Sequence, residues 1–250
     1  PYTTLFRSGR LTLIGHGLDR ASQRHRLRAG LPRVIDAAAV ERGRPTVVMV
    51  LALLPEVDRA VVSTDHEEIA AVAEAAGIAA PFRRPEALSG DRIGDIDVLV
   101  HALETCEKLD GVQYDIVLML QPTSPLREPG HVRDCVQKLV DGGWDAVWTV
   151  SPTDTKGHPL KQLMLESDGG MDYYDPAGAK IIARQQLKPV YHRNGIAYAF
   201  TRDCLLNQRT IKGARTAAVV IDGEHVSIDT MWDLELVEFI LSRRTDRLVG

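Results

Sequence analysis

The run Tyr114-Asp115-Ile116-Val117-Leu118-Met119-Leu120 constrains the fold of this chain more than any other feature. An apolar stretch without polar alternation cannot line a sheet with one wet face. It suits a strand covered on both sides, as in a parallel sheet between two helical layers. The flanking text alternates accordingly. Ala60-Val61-Val62-Ser63 is a short strand, and Asp65-His66-Glu67-Glu68 offers an N-cap with a glutamate three residues on. Ile69, Val72, Ala73 and Ala76 then follow at helical spacing until Gly77. A second helix is predicted from Asp95 to Leu109 on Ile96, Leu99, Val100, Leu103 and Cys106. A third runs through Val132, Cys135, Val136, Leu139 and Val140, closed by Gly142-Gly143.

Asp145 to Val150, Gly195 to Phe200 and Ala217 to Ile221 have strand character, and Thr230 caps a last helix reaching Leu241 through Leu234 and Val237. Repeated β-then-α units predict an α/β fold with a doubly wound, mostly parallel sheet. A ligand would sit at the carboxyl ends of its strands. Residues 151–193 are Gly-, Asp- and Tyr-rich with weak periodicity, and are expected to be an excursion from the sheet.

Composition narrows the classes. The 250 residues are 44% hydrophobic and 26% charged, which suits one α/β domain or two small ones with a real core. The longest apolar run, Val47 to Leu54, falls far short of the roughly 20 residues of a membrane helix, so no membrane association is expected. Cys106, Cys135 and Cys204 show no metal spacing, and nothing resembles a secretion signal, so a reducing, cytoplasmic setting is expected.

Charge is unevenly spread. Before residue 46, nine arginines face three acidic residues, a net of +6 in a chain whose net charge is −4, which leaves −10 for the rest. Residues 1–45 therefore form an atypical leader. Pro1 to Ser8 looks like translated adapter text, and the arginine-rich stretch after it looks like a GC-rich gene read out of frame. A basic arm for nucleic acid is disfavoured, because the arginines lack interleaved aromatics and the body is acidic.

Where the buried run ends stands Gln121-Pro122-Thr123-Ser124-Pro125-Leu126-Arg127. Two prolines fix φ there and leave Gln, Thr, Ser and Arg to project polar groups beyond the sheet edge. At this string the chain resembles the acylneuraminate cytidylyltransferases, and the resemblance runs from about Val57 to the end. It includes Val57-Asp58-Arg59-Ala60-Val61-Val62-Ser63-Thr64-Asp65, Arg84-Pro85-Glu86-Ala87-Leu88, His158-Pro159-Leu160-Lys161 and Arg184-Gln185-Gln186-Leu187. Arg193-Asn194-Gly195-Ile196-Ala197-Tyr198 and Ser227-Ile228-Asp229-Thr230 complete it.

The resemblance implies a nucleotide-diphospho-sugar transferase-like fold over residues 46–250. It also implies transfer of CMP from CTP to the anomeric hydroxyl of a sialic acid-like keto sugar acid, with release of pyrophosphate and with Mg²⁺ as cofactor. Arg84 resembles the nucleotide-contacting arginine, and Gln121, Asn194 and Tyr198 resemble residues lining nucleotide and sugar. Lys161 and Arg184 are the implied carboxylate grip, in keeping with the bidentate fit of guanidinium to carboxylate. They lie in the excursion, which in the family forms a dimer interface, so a homodimer is implied. Asp229 is the implied catalytic, metal-binding carboxylate, although Ser227 stands where the family has the first Asp of an Asp-x-Asp pair.

Alternatives stay open at several positions: Asn194-Gly195 as a turn, Tyr198 as core, and Asp229 as part of the last helix's cap. The family's phosphate-wrapping loop should fall near residues 20–36, where no matching text stands. A catalytically inactive nucleotide or sugar-acid binding protein is the alternative function.

Overall fold

A computed structural model describes residues 54, 57–90, 92–223 and 225–243, and the backbone of 11–16 and 244–249; the loop sought at residues 20–36 lies outside these. Six strands form one sheet: β1 (Leu11–His16), β2 (Arg59–Ser63), β3 (Ile116–Leu120), β4 (Ala146–Pro152), β7 (Tyr191–Thr201) and β8 (Thr216–Val220). Their order is β2-β1-β3-β7-β4-β8, and the excursion contributes a separate hairpin of β5 (Leu163–Leu165) and β6 (Met171–Tyr173). The helices are α1 (Glu67–Ala75), α2 (Asp95–Asp110), α3 (Pro129–Gly142), α4 (Arg202–Leu206) and α5 (Met231–Val249).

All five residues of β3 are buried, and their alternation divides the core. Ile116, Leu118 and Leu120 pack with Val132, Val136 and Leu139 of α3, whereas Val117 and Met119 pack with Leu99 and Leu103 of α2. Helices thus cover both faces, which is why the strand can be apolar throughout. A third, small core joins Leu126 to Ile228 and to Leu234 and Val237 of α5.

The sheet is mixed in one respect. β7 runs antiparallel to both β3 and β4, while β1–β2, β1–β3 and β4–β8 are parallel. The chain leaves the sheet at the carboxyl end of β4 and returns from that same edge, so the next strand must run the other way. β4 extends to Pro152 and β7 begins at Tyr191, so the excursion is 153–190 rather than 151–193.

One strand is added to the expected set, and two further expectations are corrected. Leu11–His16, inside the segment read as an atypical leader, forms the strand between β2 and β3. Asp65 does not cap α1. The N-cap position is His66, without a side-chain cap bond, because the Asp65 carboxylate lies 3.4 Å from Arg84 Nη2. Val140, placed on the apolar stripe of α3, is 39% exposed. The cap of α5 is as expected: Thr230 Oγ1 accepts from Asp233 N at 3.2 Å, and Asp233 Oδ2 accepts from Thr230 N at 2.7 Å.

No helix among the described residues is long and apolar enough to cross a membrane. The three cysteines are free, and burial pushes their thiols up to about 11, 12 and 11 for Cys106, Cys135 and Cys204. They are packing residues without thiolate character at neutral pH.

One ion pair ties the chain's middle to its later part. Arg202 donates Nε and Nη2 to the two Glu107 oxygens at 2.8 and 3.0 Å, and Glu107 also accepts from Tyr114 N at 3.0 Å. The bond from Arg202 holds the Glu107 carboxyl below its ordinary value. A native value below the unfolded one stabilises the fold above about pH 5, and the contribution disappears as pH falls through the lowered value. Glu107→Gln is expected to cost on the order of 1 kcal/mol at pH 7, a difference that narrows in urea titrations repeated at progressively lower pH below the ordinary carboxylate range.

Candidate functional site

The candidate residues come from separate parts of the chain and meet at one edge of the sheet. Asp65 follows β2, and the backbone N–H of Arg84 donates to Thr64 O at 2.9 Å. Gln121 follows β3. Asn194 stands near the start of β7, which is antiparallel and so begins at that same edge. The segment after β8 returns there as well, because Ile228 N donates to Thr123 O at 2.8 Å. This places Ser227 and Asp229 beside the 121–127 loop. The carboxyl-end expectation therefore describes where these residues converge.

Arg84 is 4% exposed. Its Nε donates to Ser89 Oγ at 3.2 Å and its Nη2 to Asp65 Oδ1 at 3.4 Å, while Nη1 is buried without a partner among the described residues. Burial draws its pKa down and Asp65 partly opposes this. Nearby, Phe82 packs edge-on against His101, with ring centroids 5.5 Å apart. His101 Nδ1, His66 Nδ1 and Ser63 Oγ are further buried polar atoms without partners among the described residues. Native proteins seldom leave such atoms unsatisfied.

The 121–127 loop differs from the expected picture of polar groups projecting beyond the edge. Thr123, Ser124 and Arg127 are 8%, 3% and 4% exposed; Ser124 and Arg127 turn inward onto the backbone of β7, and Gln121 alone of the four is half-buried. Ser124 Oγ donates to Asn194 O at 3.0 Å. Arg127 Nη2 donates to Gln121 O at 2.7 Å and to Gly195 O at 3.1 Å, and its Nε donates to Ile196 O. The prolines stiffen the loop, but these bonds aim it.

Asn194 is 6% exposed and its amide is engaged internally. Its Oδ1 lies 2.7 Å from Thr149 Oγ1 and accepts from Ile196 N at 3.2 Å, and its Nδ2 donates to Ser151 Oγ at 3.1 Å. Tyr198 is 3% exposed within the α2-side core, with Trp148 edge-on at 5.8 Å. Its hydroxyl accepts from Gly195 N at 3.1 Å, and burial raises its pKa. Gly195 lies between them at φ +71°, where a Cβ would collide with Gln121 Oε1 and stand 2.5 Å from Ser124 Oγ. Only glycine fits both the backbone conformation and the space.

Asp229 is exposed at the rim, one residue before the cap of α5. Its backbone N–H donates to Asp233 Oδ2, which also accepts from the N–H and hydroxyl of Thr230. Asp233 is thus occupied by capping. No group of three or more His, Cys, Asp or Glu side chains with metal-holding geometry occurs among the described residues.

Lys161 and Arg184 are not brought to this edge by contacts within the chain. Lys161 ends a short 3-10 turn whose preceding residue, His158, accepts from Leu160 N, and Arg184 opens another turn near Gln186. Both are exposed on the excursion. Thr149 is the structural partner that the sequence strings do not contain, whereas Asp65, Ser124 and Arg127 stand in those strings and only the fold pairs them with Arg84, Asn194 and the backbone of β7. Arg127 carried one signal, its place at the end of the loop string.

Comparison with known proteins gives the context. The sequence profile of a family described as "Cytidylyltransferase" matches residues 43–242. The chain is 30% identical over 197 residues to the CMP-N,N'-diacetyllegionaminic acid synthase of Legionella pneumophila, covering 76% of this chain and 80% of that protein. It is 30% identical over 174 residues to an N-acylneuraminate cytidylyltransferase of Streptococcus agalactiae, covering 69% of this chain and 40% of that longer one. Among solved structures, CMP:2-keto-3-deoxy-manno-octonic acid synthetase complexed with CTP superposes with a TM-score of 0.60 at 16% identity, covering 94% of this chain and 99% of that one. At that identity the likeness establishes the fold.

Proposed function

The chain belongs to the cytidylyltransferase family, and on that premise we propose that it transfers CMP from CTP to the anomeric hydroxyl of a sialic acid-like nonulosonic acid, releasing pyrophosphate. The observation that carries this reading is the convergence of Arg84, Gln121 and Asp229 on one sheet edge in a chain of this family. The attacking hydroxyl displaces pyrophosphate at the α-phosphorus, so catalysis requires positioning and charge neutralisation more than covalent chemistry.

In this reading the buried Arg84, with an unspent Nη1, binds the nucleotide. Gln121 presents its amide toward nucleotide and sugar. Asn194 and Tyr198 line the site through the backbone they fix, since their polar ends hold Gly195 and Ile196 in place.

The family implies Mg²⁺, and the residues fit it in a limited way. Mg²⁺ keeps several waters and is held by one or two carboxylates together with substrate phosphates. Asp229 is the exposed carboxylate at the rim, Ser227 supplies a hydroxyl where a second carboxylate would stand, and Asp233 is engaged in the cap. Bound there, the ion would neutralise charge on the phosphate oxygens. Asp229→Asn is expected to lower kcat about 10²-fold with an unchanged Tm; full activity in that variant would remove Asp229 from the mechanism.

The excursion is proposed as the dimer contact. Its hairpin exposes Leu163, Leu165 and Met171 at 49%, 77% and 63%, and Ile182 is 92% exposed, a surface that monomers rarely leave uncovered. A second copy seated there would let Lys161 and Arg184 reach the partner's sugar-acid carboxylate. A cytoplasmic location suits CTP-dependent chemistry and free thiols.

The test is pyrophosphate release from CTP and Mg²⁺ with Neu5Ac, legionaminic, pseudaminic and Kdo acids, each separately. Release with at least one nonulosonic acid is expected. Release with none of the four would overturn the reading.

A further inference from the structure

Arg127 ends the loop string, and the chemistry above makes no use of it. Its side chain is buried, and every donor it places goes to a backbone carbonyl: Ile196 through Nε, Gln121 and Gly195 through Nη2. Its Nη1 is buried and has no partner among the described residues. No carboxylate among them pairs with it; burial pulls its pKa down, and Tyr198 alone offsets this in part. A guanidinium taken out of water is normally matched by a carboxylate, because desolvation is costly. Here carbonyl dipoles substitute for the counter-charge.

The location of these carbonyls supplies the reason. The β3–β7 ladder extends to Met119 opposite Tyr198, and the β4–β7 register shifts between Trp148 and Val150. Beyond those points strand pairing no longer holds β7 against the end of β3. Gln121, Asn194 and Gly195 all lie in that gap, where the next direct backbone bond, from Gln121 N to Gly195 O, is 3.4 Å long. One planar group with donors fanned in fixed directions can span three carbonyls from two chain segments, which an ammonium cannot do.

We propose that Arg127 is a positioning residue: it clamps the end of β3 to the bulged start of β7, sets the placement of Gln121 and Asn194–Gly195, and leaves a positive charge matched by carbonyl dipoles rather than by a carboxylate behind the edge where anionic substrates bind. This rests on the cytidylyltransferase reading of that edge.

The experiment compares wild type, Arg127→Lys and Arg127→Ala, the last with and without added methylguanidinium. Misplacement of site groups by about an ångström is expected to lower kcat/KM about 10²-fold in both variants, and the loss should persist when rates are corrected for folded fraction. Lysine retains the charge without the span, so Arg127→Lys should be nearly as impaired as Arg127→Ala. Methylguanidinium should restore part of the activity of Arg127→Ala, and ethylammonium should not. Wild-type kcat/KM in folded Arg127→Lys, or equal rescue by both cations, would overturn the clamp.

Should Arg127→Ala fail to fold, Arg127→Lys carries the comparison through hydrogen exchange. Loss of protection confined to peptides covering 121–127 and 192–198 is expected, and unchanged protection there would overturn the proposal. A wild-type protein that turns over none of the four acids would overturn the reading of the site instead, and the exchange measurement would still decide the clamp.

Discussion

Gly195→Ala should lose both stability and activity, and the two losses have separate causes. The residue stands at φ +71°, where a β-carbon costs on the order of 1–2 kcal/mol in backbone strain. That carbon would also stand 2.5 Å from Ser124 Oγ and press on Gln121 Oε1. Ser124 cannot retreat without breaking its bond to Asn194 O, so overpacking adds roughly 1–3 kcal/mol. A total near 3 kcal/mol lowers Tm by roughly 6–12 °C in a domain of this size. Gln121 ends on a flexible side chain and will yield, which moves a proposed substrate contact and should reduce kcat/KM about 10²-fold. Gly77→Ala provides the control, because Gly77 has φ +89° with no atom within 4 Å of the added carbon. It should show the strain alone and keep full activity. Equal Tm for the two variants in a calorimetric scan would refute the packing argument.

The second large effect is expected at Asp65. Its carboxylate and the Arg84 guanidinium are nearly enclosed, with side-chain exposures of 8% and 3%. Asp65→Asn preserves shape but leaves a buried cation without its counter-charge. Removing one member of a buried pair typically costs 3–5 kcal/mol; the 3.4 Å separation and the second bond of Arg84 to Ser89 place this case at about 3 kcal/mol. KM for CTP should rise as well, since Arg84 would no longer be held. Removing the orphaned cation should then help: Asp65→Asn with Arg84→Met is expected to be more stable than Asp65→Asn alone, though inactive. A single variant that loses less than about 0.5 kcal/mol in urea unfolding would show that the pair contributes little.

Most of the helices and strands from Arg59 onward were legible because each carries a periodic apolar signal. The unbroken apolar β3 announced two covered faces, and the spacing in α2 and α3 identified what covers them. β1 escaped because Leu11–His16 is embedded in arginine-rich text, so composition masked a short strand signal. Asp65 departs from the local capping rule for a different reason. An aspartate before a helix satisfies the local rule, and only a distant residue, Arg84, could claim it.

The sequence by itself determined the layered α/β fold, the loop at the end of β3 and the family, because these rest on local periodicity and on strings of neighbouring residues. The tertiary structure decided which polar groups of that loop face inward, that Asn194 and Tyr198 hold backbone rather than stand open, and that Asp233 serves the helix cap while Asp229 remains at the rim. These outcomes depend on partners up to 70 positions away, as in the bond from Ser124 to Asn194. The physical reason is that a buried polar group takes whatever partner the fold brings within 3 Å or so, and sequence spacing does not encode that distance.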